Sequence, residues 1–324
     1  IKREAYLCLS AMLRAREPKL LTRERAERML DAGSFEECAK LLTDCGYADM
    51  SAMSAGEIEA YLSSRRDAVF AAAPDRSVVD VFRMKYDYHN AKVLVKAEAV
   101  GQNGARLMSR SGRFSPEKLS ALYTEENLGQ LPAVFAAAIA DAKSVLARTS
   151  NPQQADFILD RAYFAEVRAA AQSAECPFLS GYAGILTDST NLKSAVRTLR
   201  MGKDLEFMDS ALIPGGSVSA DRIVAAGDRE SITALFANTL LERAALIGAE
   251  AVDGGSMTAF ELACDNAVTA YLRSARLVSF GPEALIAYLA AIEGEITAVR
   301  MILTGRLAGI NPDVIRERLR DMYA

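Results

Sequence analysis

Apolar residues at Leu285, Leu289, Ile292, Ile296, Val299 and Leu303 step by four and three along the chain. Positions three and four apart stack on one face of an α-helix, so this spacing predicts a helix from about Pro282 to Gly305 with one core-facing seam. Glu283, Glu293, Glu295 and Arg300 lie off that seam. Helix-start signals recur along the chain. Ser34 and Glu37, and Ser54 and Glu57, have the capping-box spacing, in which each side chain satisfies a backbone N–H of the other. Ser115-Pro116, Asn151-Pro152 and Asn311-Pro312 set a capping residue before a proline at the first helical position, and Gly281-Pro282 is a weaker version. Gly33, Gly46, Gly101, Gly202, Gly227, Gly248 and Gly305 fall near the ends of apolar-periodic stretches, where helices stop. No alternating apolar and polar run bounded by turns predicts a strand. The class is all-α.

A spaced motif repeats. Asp87, Asn90 and Lys92 are followed by Lys96 and Gly101; Asp188, Asn191 and Lys193 are followed by Arg197 and Gly202 at the same intervals. Arg300 and Gly305 keep the last interval and read as a worn third copy. The three copies divide the chain into helical units at 1–105, 106–205 and 206–324. Two readings of the motif stand. In one, Asp and Asn fix the geometry between helices and the glycine ends the helix. In the other, Asn90, Lys92, Asn191 and Lys193 line a shared inner surface.

Composition narrows the function classes. Among 324 residues, 51% are hydrophobic and 25% charged. That balance excludes wholesale disorder. A net charge of −4 argues against nucleic acid, which selects a basic excess. Basic residues nevertheless crowd the first thirty positions (Lys2, Arg3, Arg14, Arg16 and Lys19 among them), and Arg316, Arg318 and Arg320 close the chain. Such clusters are either solvated helix faces or a surface that docks an acidic partner. The longest apolar run, Ala284 to Ile292, is about half of the roughly 20 residues that cross a bilayer, so membrane association would run through another protein.

Catalytic constellations are missing. His89 is the single histidine, too few for the usual zinc sites or a histidine-rich hydrolase. Five cysteines form no CxxC pair and suit a reducing compartment. No GxxxxGK[ST] stretch offers a phosphate loop. Glu125/Glu126, Glu293/Glu295 and Asp156/Asp160 are carboxylate pairs that could hold Mg²⁺, although adjacent acids on helices are more often solvated. The expectation is a non-catalytic chain with no cofactor.

The order of several stretches resembles the C-subunit family of V/A-type rotary ATPases (the d subunit in vacuolar enzymes). They are Tyr6-Leu7 with Arg14 and Arg16; Met29-Leu30-Asp31-Ala32-Gly33-Ser34-Phe35; Gly46-Tyr47; Asp87-Tyr88-His89-Asn90 with Lys92; and Arg300, Gly305, Gly309-Ile310 and Ile315-Arg316-Glu317-Arg318-Leu319-Arg320. The resemblance implies a funnel of three similar helical units around a central cavity. It implies a peripheral subunit on the cytoplasmic side that joins the central stalk, made of the D and F subunits, to the membrane rotor ring of proteolipid subunits. Neither nucleic acid nor direct nucleotide contact is expected. Candidate partner-binding residues are Arg14, Arg16, Asn90, Lys92, Asn191, Lys193, Arg300, Arg316, Arg318 and Arg320. If three units close a ring, the basic N-terminal segment and the Arg316–Arg320 turn should adjoin. Without the resemblance, two further readings stand: an α-helical repeat scaffold for an unrelated partner, and a carboxylate-based metal enzyme.

Overall fold

The computed structural model describes residues 3–73 and 75–324; Lys2, one of the N-terminal bases, lies outside them. All regular structure among the described residues is helical. The chain forms two compact units: Ile1–Pro74 with Phe236–Ala324, here the terminal unit, and Asp75–Leu235, the middle unit. The division at 105 and 205 rests on sequence repetition, a different criterion from packing.

In the terminal unit, α1 (Leu7–Arg16), α2 (Arg23–Asp31), α3 (Phe35–Lys40) and α4 (Ala55–Ala72) come from the first segment. The middle unit begins with α5 (Arg76–Ala99), α6 (Pro116–Thr124), α7 (Ala133–Thr149) and α8 (Pro152–Ser173). It continues with α9 (Pro177–Arg200), α10 (Leu205–Ala211), α11 (Ala220–Ala226) and α12 (Arg229–Leu235). The terminal unit resumes with α13 (Glu242–Val252), α14 (Met257–Arg273), α15 (Pro282–Leu307) and α16 (Pro312–Arg318). The predicted caps do their work: Ser34, Ser54, Ser115, Asn151 and Asn311 each accept a backbone N–H of their helix's first turn.

The middle unit is built on α5, α7, α8 and α9. Lys92 reaches Asp160 and Lys96 reaches Asp156, both at 2.7 Å, so α5 runs antiparallel to α8. Alanines at the buried positions Ala138, Ala142 and Ala155 let α7 and α8 pack closely, with Phe135, Ile139 and Leu159 filling the core. Phe82 of α5 stacks on Tyr182 of α9 at 5.7 Å between ring centres.

In the terminal unit α15 is the axis, with α1, α2, α3, α4, α14 and α16 packed on it. Its predicted seam is buried, but so are Glu283 and Glu295. A single-seam pattern cannot show that a helix is wrapped on several sides, and this one is. Glu283 pairs with Arg3 at 2.6 Å, and Ser10 both donates to the carbonyl of Gly281 and accepts its N–H. The N-terminal basic segment and the C-terminal arginine turn adjoin, as expected: α16 packs on α2, and Arg316 binds Glu27 at 2.6 Å and Asp31 at 2.8 Å.

Two glycines are not the helix stops that their positions suggested. Gly248 lies inside α13 and Gly305 inside α15. A Cβ on Gly305 would meet the Ile315 side chain at 2.7 Å, so that glycine admits α16. The stop is Gly309, whose φ of +71° is the left-handed conformation that glycine adopts most readily. No helix among the described residues is long and apolar enough to cross a membrane.

Candidate functional site

The repeated motif fastens a loop to a helix in the same way twice. Asn90 on α5 donates through Nδ2 to the carbonyl of Ser109 at 2.8 Å and accepts the Ser109 N–H at 2.7 Å. Asn191 on α9 does the same to Ile213, with both bonds at 2.8 Å. A side-chain amide is the one group that matches a peptide unit at both ends, which explains the residue type. One turn earlier, Asp87 accepts the N–H of Phe114 at 3.2 Å, and Asp188 accepts that of Val218 at the same distance. Their second oxygens take Nε of Arg113 at 2.6 Å and the hydroxyl of Ser217, respectively. In both copies the next residue, Ser115 or Ser219, caps a new helix. Gly112 and Gly216 pass so close to the aspartate oxygens that a Cβ on either would overlap Oδ1. Gly101 and Gly202, both left-handed, end the helices.

A third fastening stands in the terminal unit, in a different register from the Arg300–Gly305 spacing. Glu295 on α15 accepts the N–H of Leu21 at 2.6 Å through one oxygen and the Tyr47 hydroxyl at 2.6 Å through the other. The residue after Leu21 is Thr22, which caps α2, just as Ser115 follows Phe114 and Ser219 follows Val218. Counting back from the left-handed glycine at each helix end (Gly101, Gly202, Gly309), the acids Asp87, Asp188 and Glu295 share one position. Lys92, Lys193 and Arg300 share another. Ala298 replaces the asparagine, and nothing there needs clamping: the segment before Leu21 is a 3-10 turn that bonds to itself, Leu20 N–H to Glu17 carbonyl. Sequence spacing alone hid this copy, because Glu replaces Asp and its loop lies at the other end of the chain.

All three carboxylates are buried, and burial pushes each above the usual carboxylate range. The hydrogen bonds oppose that shift, assisted at Asp87 by the Arg113 guanidinium and at Glu295 by Tyr47 and the nearby Arg65 and Arg25. These are structural anchors, with both oxygens of each carboxylate already engaged by the chain itself.

The other candidate residues are distributed unevenly. Asn90 and Asn191 are fully buried, with both ends of each amide engaged within the chain. Lys193 is half-buried on α9. Arg14 is held by Glu17 at 2.6 Å and by the carbonyls of Ala275 and Val278. Arg300 forks onto Glu59 at 2.6 and 2.8 Å, and Arg320 meets Asp265 at 2.6 Å. Arg16 and Arg318 are exposed, without an ion pair to a described residue. Asp156 and Asp160 face lysines, and no group of three metal-ligating side chains occurs among the described residues.

The family model of the ATP synthase (C/AC39) subunit matches residues 9–318. The chain is 27% identical over 330 residues to the C subunit of the V-type sodium ATPase of Enterococcus hirae, covering 98% of this chain and 99% of that one. It is 25% identical to the C subunit of the A-type ATP synthase of Methanocaldococcus jannaschii, covering 97% and 86% of the two chains. For the same subunit of Thermococcus kodakarensis the identity is 24%, covering 96% and 89%. The match spans all three anchoring acids and both asparagine clamps, and the chain belongs to the ATP synthase (C/AC39) subunit family, the non-catalytic C subunits of V/A-type ATPases.

Proposed function

We propose that this chain is the rotor adaptor of a V/A-type ATPase. It receives the foot of the central stalk, the D and F subunits, and sits on the membrane rotor ring at the cytoplasmic face. ATP hydrolysis or synthesis is thereby coupled to movement of H⁺ or Na⁺. Its form in this reading is a funnel of three helical units, 1–105, 106–205 and 206–324, around a central cavity.

The observation that carries the reading is the helix-borne acid that occurs three times, each accepting the N–H just before a capped helix. The third instance joins residues of the last and first segments, as closure of three units requires. An adaptor that transmits torque must resist shear between its helices and loops. Buried hydrogen-bonded anchors supply that resistance, because each resists opening by leaving a buried polar group unpaired if it breaks. Among the ten candidate partner contacts, Arg16 and Arg318 are best suited to meet a partner directly, since neither has a counter-ion among the described residues.

The test is assembly. Purified chain should hydrolyse no ATP alone, bind a D–F stalk complex, and restore stalk attachment to rings lacking it. Binding to neither stalk nor ring would return the chain to the alternative, a helical repeat scaffold for an unrelated partner.

A further inference from the structure

A basic pocket in the terminal unit is built from donors that the fold itself leaves unused. It opens between the end of α1, the second half of α4 and the first half of α15, with a volume of about 430 Å³. Arg16 and Lys19 stand at its rim, exposed and without an ion pair to a described residue. Tyr288 is 7% exposed, and its hydroxyl has no hydrogen-bond partner among the described residues. Arg65 lies over the Tyr47 ring at 3.9 Å and directs its two terminal nitrogens to the carbonyls of Gly46 and Cys45. Its Nε is a buried donor with no acceptor among the described residues. Leu20, Val69 and Ile292 supply an apolar wall.

No acid lines this pocket. The two acids whose charge reaches Tyr288 are engaged elsewhere: Glu17 with Arg14 and the Tyr323 hydroxyl, and Glu295 with Leu21 and Tyr47. Leaving the buried Arg65 Nε–H unpaired costs free energy that an acceptor would recover, and the Tyr288 hydroxyl, which lines the pocket without a partner among the described residues, is free to donate to one. The ligand is therefore an anion, and two features define its class. The helix ends at the border, Arg16 of α1 and Ala72 of α4, are C-termini, whose carbonyl dipoles disfavour a phosphate dianion. The terminal fork of Arg65, the usual phosphate clamp, is already occupied. A carboxylate monoanion needs fewer donors. The apolar wall and the volume leave room for a neighbouring hydrophobic side chain.

We infer that this pocket seats an acidic peptide segment of a partner subunit, a carboxylate between Tyr288, Arg65 and the Arg16/Lys19 rim with an apolar residue beside it. This rests on the rotor-adaptor reading for the partner's identity, but the seat itself is tested without the partner.

Two arms test it. In the first, the full chain with labelled methyl groups is titrated with the peptide acetyl-Leu-Glu-Leu-amide and, separately, with inorganic phosphate. The peptide should shift the methyl signals of Val69 and Ile292 with millimolar affinity. The R16E/K19E double variant should lose that response, and Tyr288→Phe should weaken it about three-fold or more. Absence of a peptide response, or tighter binding of phosphate at the same residues, overturns the seat. In the second arm, binding to the D–F complex and to the ring is compared for wild type, R16E/K19E, Tyr288→Phe and the control Arg243→Glu, an exposed base outside the pocket. The double reversal should weaken one of the two partners about ten-fold or more and flatten its salt dependence, with the control unchanged. Unaltered binding of the double variant overturns the docking role. A wild-type chain that seats the peptide but binds neither assembly overturns the rotor reading and the partner's identity, while the anion seat stands.

Discussion

The carboxylate of Glu295 accepts the backbone N–H of Leu21, 274 residues earlier in the chain, at 2.6 Å. Few contacts do more to define the terminal unit, because this bond ties its axial helix to the segment that starts α2. A backbone N–H at that place has no partner in a helix ladder. The acid that takes it is in turn held by Tyr47, so three groups from distant segments satisfy one another. Asp87 with Phe114 and Asp188 with Val218 are the same arrangement over 27 and 30 residues.

Replacing Glu295 tests that bond. Glu295→Ala leaves the Leu21 N–H and the Tyr47 hydroxyl unpaired and opens a void, a loss of about 3 kcal/mol or more. Glu295→Gln keeps an acceptor for Leu21 and a polar group for Tyr47, and should cost about 1 kcal/mol. Urea unfolding measures both, and hydrogen exchange at the Leu21 amide should quicken in the alanine variant only. Equal losses would mean that packing, rather than the acceptor, is what matters there.

The two asparagine clamps should behave as a matched pair. Asn90→Ala and Asn191→Ala each remove two hydrogen bonds from a peptide unit with little access to water, at about 2–4 kcal/mol apiece. Asparagine to aspartate at either site turns the donor to the Ser109 or Ile213 carbonyl into a repelling oxygen and should cost at least as much. Denaturant midpoints that fall for one site and not the other would show that the copies are alike in sequence but not in load.

Gly112→Ala and Gly216→Ala probe the same fastening from the loop side. Neither glycine is required by a left-handed backbone; each is required by its approach to the aspartate carboxylate. A methyl at either position must push the loop off the helix, a loss of about 1–3 kcal/mol by calorimetry. Alanine at Gly129, which has nothing within contact range, should leave the melting temperature within a degree or so.

What could be read from the sequence followed from how local each interaction is. Capping residues act on the next three positions, so Ser54, Ser115, Asn151 and Asn311 announced their helices correctly. The spacing from Asp87 to Asn90, and again from Asp188 to Asn191, lies on one helix face and was visible as a repeat. Its partners were not, because the loop stretches from Ser109 to Ser115 and from Ile213 to Ser219 share only a glycine and the capping serine. The third anchor was masked by the Asp-to-Glu change and by its distance in sequence. The cationic ends misled differently: charge counts reveal arginines, but not that Arg14 and Arg316 are matched by acids, Arg316 by two on another helix.

That distinction separates Arg316 from Arg318. Arg316 faces Glu27, Asp31 and Asp313, so Arg316→Glu places four carboxylates together. Their mutual repulsion should lower the urea midpoint, with partial recovery at high salt because the cluster is open to solvent. Arg318 is exposed, and Arg318→Glu should leave folding unchanged. Assembly assays on the two variants then read different things: a folding defect in one and a surface contact in the other. Equal midpoints for both would place the Arg316 network among surface pairs that contribute nothing measurable.

Asp188 offers a pH signature free of the ion pair that complicates its counterpart, Asp87. Burial raises its pKa above the ordinary aspartate value of 3.8, and only the Ser217 hydroxyl and backbone N–H groups oppose the shift. The folded chain therefore holds this proton at a pH where the unfolded chain has released it. Between 3.8 and the raised value the native state binds more protons, so the contribution of Asp188 to stability falls as pH rises through that window, then levels off. Asp188→Asn removes the titration but keeps the size and one acceptor. Its stability relative to wild type should accordingly improve from about pH 4 towards neutrality. Asp87, whose pKa burial also raises, follows the same trend, but Asp87→Asn should stay less stable than wild type at neutral pH, because it leaves the Arg113 guanidinium without its 2.6 Å counter-ion. Urea titrations of the three proteins at several pH values decide the matter. If the curves for wild type and Asp188→Asn run parallel, then the hydrogen bonds to Asp188 fully offset its burial.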